Sequence, residues 1–155
     1  MGRHDQKGIR FEFLVKRIDE ALEAGFYVEA LSLTYSLMEE RTYKLLERLG
    51  IPWKSRDKLY QCLVYFQNHV STGTISVTPI KCTQGELVDW LKENFLDSGL
   101  VGNIDKWRDD RNDVIHDLAK QDMDYNDLRK VAETGRNCFR TYTALIMKLK
   151  KMIGD

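Results

Sequence analysis

Apolar residues along the chain return every three to four positions rather than every two, which is the spacing of amphipathic helices. Phe11, Leu14, Ile18 and Leu22, with Val15 and Ala21 beside them, form one stripe that ends near Gly25. A second stripe of Leu31, Tyr35, Met38, Thr42, Leu45 and Leu49 closes at Gly50-Ile51-Pro52, a glycine stop followed by a proline. Two long helices are therefore expected to open the fold as a hairpin. Leu59, Leu63, Phe66 and Val70 predict a shorter third helix with Ser55 as its cap. Between Ser71 and Ile80, β-branched residues and Pro79 predict a loop or small hairpin, an irregular insertion near 71–81. Thr83 and Glu86 have the spacing of a capping box for a helix through Leu87, Val88, Trp90 and Leu91, which should stop near Ser98-Gly99. Asn103 is placed to cap a helix carrying Ile104, Trp107, Val114, Ile115 and Leu118. Asp124 is placed to cap the last one, whose stripe includes Leu128, Val131, Gly135, Phe139, Tyr142, Leu145, Leu149 and Met152. The expected architecture is all-α, an up-down bundle of about five to six helices.

Composition narrows this picture. The 155 residues suit one domain spanning 1–155, and with 43% apolar, 31% charged, 2 Pro and 10 Gly they exclude a disordered or collagen-like chain. The 24 Lys+Arg and 24 Asp+Glu balance, so any nucleic-acid role must come from a local site rather than from overall charge. No apolar run is long enough to span a membrane and no signal peptide precedes the first helix, so the expectation is a cytoplasmic protein without a membrane partner. Cys62, Cys82 and Cys138 lack the paired spacings of zinc or redox sites and read as reduced thiols. Asp residues crowd the stretch from Asp105 to Asp127, whereas Arg and Lys dominate the last helix.

Residue type and helical position disagree at one place. At about 100° per residue, the stripe of Ile104, Trp107, Val114, Ile115 and Leu118 is centred almost on Arg111, so a guanidinium is aimed at an apolar interface. Such a group needs a carboxylate, a carbonyl, a phosphate or another subunit. Asn112 and His116 share a flank of the same helix, where Asn112 is placed to orient the imidazole. On the second helix Glu39 borders the apolar stripe while Glu40 points away, so Glu39 is the better carboxylate to meet Arg111. It would either position Arg111 or His116 or close a buried salt bridge, and both readings stand. Trp53, Trp90 and Trp107 read as core, with Trp107 also placed for a subunit seam.

The sequence Arg111-Asn112, three further residues and then His116 resembles the signature of the HEPN superfamily, in which an Arg and a polar residue precede a His on a late helix of a small α-bundle. The segment from Ala24 to Arg41 is similar to the second-helix pattern of that superfamily. The resemblance implies metal-independent RNA cleavage, in which the 2′-hydroxyl attacks its own phosphodiester and leaves a cyclic phosphate. His116 would move protons, Arg111 would hold the phosphate and Asn112 would orient one of them. It implies no metal and no cofactor. It also implies a toxin or phage-defence effector, with an antitoxin or regulatory protein as a further partner. The alternative is a non-catalytic module of the same type that binds nucleotide, RNA or a protein. The position two residues after His116 is Leu118, so the modifiable tyrosine of some toxins of the superfamily is missing there. Two residues five apart on a helix diverge by about 140°, so one chain cannot easily bring both onto one phosphate, and a homodimer with facing motif helices is expected. Arg129, Arg136 and Arg140 lie along one edge of the last helix and are the expected contacts to the RNA backbone.

Overall fold

The computed structural model describes residues 3–120 and 124–154. Asp122, one of the acids in the Asp105–Asp127 run, lies outside the described residues. Six α-helices follow in order, α1 (Arg3–Ala24), α2 (Tyr27–Leu49), α3 (Leu59–Thr72), α4 (Gln84–Leu91), α5 (Leu100–Ala119) and α6 (Tyr125–Ile153), with a π-helical stretch (Lys92–Asp97) continuing α4. No strand occurs among the described residues. The chain is thus the all-α bundle that its apolar spacing predicts.

Helix α2 is the central element and packs against α1, α3, α5 and α6. It must therefore be apolar on more than one face, and it buries Leu31, Leu37, Met38, Leu45, Leu46 and Leu49. Gly25 and Phe26 turn the chain from α1 into α2, with Gly25 at φ 80°. Helices α2 and α6 run in the same sense, because Tyr27 meets Tyr125 with ring centroids 5.1 Å apart and Thr42 meets Tyr142 further along both. At that second level the fully buried Tyr142 hydroxyl lies 2.8 Å from Thr42 Oγ1, which itself donates to the Met38 carbonyl at 2.7 Å. Two buried hydroxyls are satisfied by this chain of bonds, so neither carries the cost of an orphaned polar group.

Local signals account for most helix ends. Thr83 Oγ1 accepts from Glu86 N at 3.1 Å while the Glu86 carboxylate accepts from Thr83 N at 3.3 Å. Asp124 accepts from Asn126 N at 2.9 Å and caps α6. Two expected caps are corrected. Lys58 rather than Ser55 precedes α3, with Gln61 Oε1 accepting from Lys58 N at 2.8 Å. Asn103 lies inside α5, which starts at Leu100 after Gly99 at φ 84°. Gly50 ends α2 at φ 67°, and a Cβ there would approach Ser76 Cβ to 2.6 Å, so this stop is a close packing point as well.

The segment 73–83 is irregular, which agrees with the loop reading of that insertion. It is nevertheless anchored, by Ser76 N donating to Leu49 O at 2.8 Å, by Lys81 N donating to Met152 O at 3.2 Å and by burial of Ile75. The sequence reading carries α4 on to Ser98-Gly99 but not its change to π geometry over Lys92–Asp97. The π-helical stretch places Phe95 in the core among Phe66, Trp90 and Tyr142, at centroid distances of 5.2, 5.9 and 6.2 Å. All three cysteines are free, with Cys62 buried and Cys82 and Cys138 half-buried. No helix among the described residues is long and apolar enough to cross a membrane.

Candidate functional site

Helix α5 carries the Arg-Asn-x3-His sequence, and its seat on α6 is set by one aromatic joint. Trp107 is buried and its indole Nε1 donates to Val131 O at 2.9 Å. The indole lies directly over Gly135, where a Cβ would meet Trp107 Cε2 at 2.4 Å. A residue without a side chain is what lets α5 approach α6 this closely. Trp107 is therefore enclosed within its own chain, which corrects its expected place at a subunit seam.

One turn further along α5, Arg111 is half-buried, with its Cζ 4.4 Å from the centroid of the Tyr35 ring on α2. Tyr35 also neighbours Trp107, with centroids 6.4 Å apart and the rings tilted by 36°, so the guanidinium lies at the end of an aromatic cluster. Arg111 Nη1 donates to Asn112 Oδ1 at 3.1 Å, and Arg111 Nε is buried without a hydrogen-bond acceptor. The expected Glu39–Arg111 ion pair does not form. Glu39 is half-buried one turn after Tyr35, and it is the Tyr35 ring that lies against the guanidinium. Glu39 acts on its tyrosine neighbours instead. Burial pushes the Tyr35 phenol upward, Glu39 adds to that shift, and Arg111 and Arg108 oppose it. The Tyr43 phenol, whose hydroxyl donates to Asp57 O at 2.6 Å, is pushed up to about 12, by burial first and then by Glu39.

Asn112 is exposed and gives its carbonyl oxygen to Arg111, so it orients the guanidinium rather than the imidazole. His116 is exposed in the last turn of α5. Of the acids flanking the motif, Asp110 pairs with Lys106 at 2.9 Å and Asp109 with Arg108 at 2.9 Å, while Asp113 is exposed. None of the three is ion-paired with Arg111, so its charge is met by the Tyr35 face and the Asn112 carbonyl.

Two residues that the sequence reading did not single out as functional complete this face. Arg108 bonds Asp105 at 3.0 Å and reaches over the exposed Tyr60 ring of α3 at 5.2 Å. Tyr35 was legible only as a member of an apolar stripe, since its pairing with an arginine far along the chain leaves no local pattern.

The three arginines of α6 do not form one cationic edge. Arg136 is buried and holds Asp19 of α1 with two bonds, Nε to Oδ1 and Nη2 to Oδ2, the latter at 3.1 Å. That pairing lowers the Asp19 carboxyl below its ordinary range, the hydrogen bond being the largest cause. Arg136 is thus a structural ion-pair partner, which corrects its expected role on an RNA backbone. Arg129 and Arg140 are exposed, Arg129 lying 3.8 Å from Glu133 and Arg140 adding its charge to the lowering of Asp19. Among the described residues, no group of three or more His, Cys, Asp or Glu side chains is placed to hold a metal ion.

Chemically, the site offers a fixed cation and a separate proton carrier. The two lie on different flanks of one helix and do not converge within a single chain. Comparison with known protein families, curated proteins and solved structures finds no match to this chain.

Proposed function

We propose that the protein is a metal-independent endoribonuclease with a composite active site formed by two copies of the chain. The observation that carries this reading is Arg111, a guanidinium held half-buried on an aromatic face by Tyr35 and Asn112, on the same helix as an exposed imidazole with no hydrogen-bond partner among the described residues. An arginine held in this way is suited to gripping a phosphodiester and to meeting charge that develops in the transition state. His116 would take the proton from the ribose 2′-hydroxyl, the 2′-oxygen would bond to phosphorus, and the 5′-oxygen would leave with a proton from a second imidazole. The products are a cyclic phosphate and a free 5′-hydroxyl. The divergence of Arg111 and His116 favours facing helices from two protomers, and the exposed Tyr60 ring of α3, under Arg108, adds apolar surface for that contact. In keeping with the HEPN resemblance, the proposed setting is the cytoplasm and the proposed role a toxin or phage-defence effector under an antitoxin or regulatory protein.

The test incubates purified protein with total RNA in EDTA beside Arg111→Ala and His116→Ala variants, each checked for helicity and for mass in solution. Cleavage by the dimeric wild type that both folded variants lose is the expected result. Intact RNA with a folded dimer would overturn it.

A non-catalytic module that binds nucleotide, RNA or a protein is the second reading, and one observation favours it. Arg111 Nε is buried and the guanidinium is already used in packing. On that reading His116→Ala is neutral, whereas Arg111→Ala weakens folding or dimerisation.

A further inference from the structure

Arg136 of α6 is taken up by Asp19, and exposed cations gather instead at the turn that leads into α3. Lys54, Arg56 and Lys58 are all exposed, and none of the three is ion-paired among the described residues. The turn that carries them is fixed. Asp57 N donates to Lys54 O at 2.9 Å, and Lys54 N donates to Asp57 Oδ2 at 2.8 Å. Tyr43 ties the same turn to α2 through its bond to Asp57 O, and its ring stacks on Trp53 with centroids 4.5 Å and planes 11° apart. Asp57, the one acid of the turn, is buried and engaged by the turn's own backbone. Of the neighbouring acids, Asp105 and Asp109 pair with Arg108 at 3.0 and 2.9 Å, and Glu39 acts on Tyr43 and Cys62.

This turn runs into the candidate site. Two residues after Lys58, the Tyr60 ring is 44% exposed, and Arg108 of α5 reaches over it at 5.2 Å. Arg111 follows Arg108 by one turn of α5, and its Nε has no acceptor. Three unpaired cations, an exposed ring and a fixed guanidinium thus succeed one another across the contact between α3 and α5. Sequence-tolerant recognition of a single strand uses this combination, with cations that track phosphates and an aromatic ring on which a base stacks. A duplex offers no unstacked base to such a ring.

We propose that single-stranded RNA binds along this path, with Lys54, Arg56 and Lys58 on its backbone, a base stacked on Tyr60, and the strand led toward Arg111. The proposal rests on the ribonuclease reading for the identity of the strand as RNA. A row of separate cations favours a chain of phosphates over a single nucleotide, because only a chain meets all of them at once.

The experiment measures, by fluorescence anisotropy in EDTA, binding of the full chain to a single-stranded RNA with 2′-O-methyl ribose throughout, which lacks the attacking hydroxyl. Titrations are repeated at several salt concentrations, with helicity checked for every variant. Wild type should bind saturably. The triple variant Lys54→Gln, Arg56→Gln, Lys58→Gln should lose about tenfold or more, and the slope of log affinity against log salt should fall by about 2, the value for three phosphate contacts on a single strand. The turn is held by backbone groups, Asp57 and Tyr43, so the triple variant should keep its helicity. Tyr60→Leu should lose about fivefold or more with the salt slope unchanged. Lys16→Gln, on α1 and 77% exposed, should change binding less than about twofold. On a cleavable ribose strand the triple variant should raise KM and retain kcat. No saturable binding by wild type, an unchanged salt slope in the triple variant, unchanged affinity in Tyr60→Leu, or a loss matched by Lys16→Gln would each overturn the proposal. Binding along this path by a chain that leaves ribose RNA intact would overturn the ribonuclease reading alone, whereas cleavage by the triple variant with unchanged KM would overturn the path alone.

Discussion

Replacing Gly135 by alanine attacks the joint that sets the position of α5. The new Cβ would lie 2.4 Å from Trp107 Cε2 and Nε1 and 2.6 Å from Cζ2, whereas carbon atoms in good contact are about 3.5–4.0 Å apart. The indole is 1% exposed, so it must either swing off the Val131 carbonyl or push α5 away from α6. Overpacking of a close-packed core costs about 1–3 kcal/mol. A buried indole N–H that loses its acceptor costs about 1–3 kcal/mol more. The helix preference of alanine over glycine returns about 1 kcal/mol. The net expectation is a loss of about 1–5 kcal/mol, which lowers the melting temperature of a domain of this size by roughly 2–20 °C. Thermal and urea unfolding followed by far-UV circular dichroism measure this directly. A variant that melts at or above the wild-type temperature would refute the reasoning, because it would mean that alanine gains its helix preference there without displacing the indole. Arg111 follows Trp107 by one turn, so on the proposed function the same substitution should also reduce RNA cleavage.

Other outcomes follow from single contacts. Asp19→Asn should destabilise the fold by about 1–2 kcal/mol at neutral pH, a figure held down because the Asp19 side chain is 49% exposed. Because pairing with Arg136 depresses the Asp19 carboxyl, its contribution is present above the unfolded value of 3.8 and is lost as pH falls through the lower folded value. Acid unfolding curves of wild type and variant should therefore converge at low pH, and a constant gap between them would count against this pairing. Tyr142→Phe should cost about 1 kcal/mol in urea unfolding. Burial raises the Tyr142 phenol above its ordinary 10, so its neutral form stabilises the fold below that pH and this support fades as pH rises further. The variant should accordingly show a shallower alkaline loss than the wild type, and an unchanged slope would contradict the assignment. Tyr35→Leu keeps an apolar side chain but removes the aromatic face under Arg111, so cleavage should fall by about tenfold or more while the melting temperature changes little. Equal activity would show that the stack does not hold the guanidinium for catalysis.

The long helices were legible because their signal is local and periodic. Leu31, Met38, Leu45 and Leu49 recur on one side of α2 and are all buried, and the Thr83–Glu86 and Asp124 caps lie within three residues of the groups that they bond. What was not legible depended on how helices rotate against one another. Tyr35 and Glu39 stand four apart on nearly the same flank of α2, and only the crossing with α5 decides that the ring, not the carboxylate, meets Arg111. Arg136 likewise shares a helix with Arg129 and Arg140, yet its rotation toward α1 turns it into the partner of Asp19. The π-helical turn around Phe95 answers to aromatic rings on α3, α4 and α6, none of which leaves a mark on the local spacing. Ser55 and Asn103 had suitable side chains for caps, but the helices start at Leu59 and Leu100.

The proposed reaction is tested most directly from the substrate side. A single-stranded RNA that the wild type cleaves in EDTA would be compared with the same strand carrying 2′-deoxyribose at the scissile nucleotide, with the end groups identified by mass. The account predicts that the ribose strand is cut to a cyclic phosphate and a 5′-hydroxyl, and that the deoxy strand stays whole at that position. Cleavage of both strands, or ends without a cyclic phosphate, would contradict attack by the 2′-hydroxyl, and with it the roles assigned to Arg111 and His116.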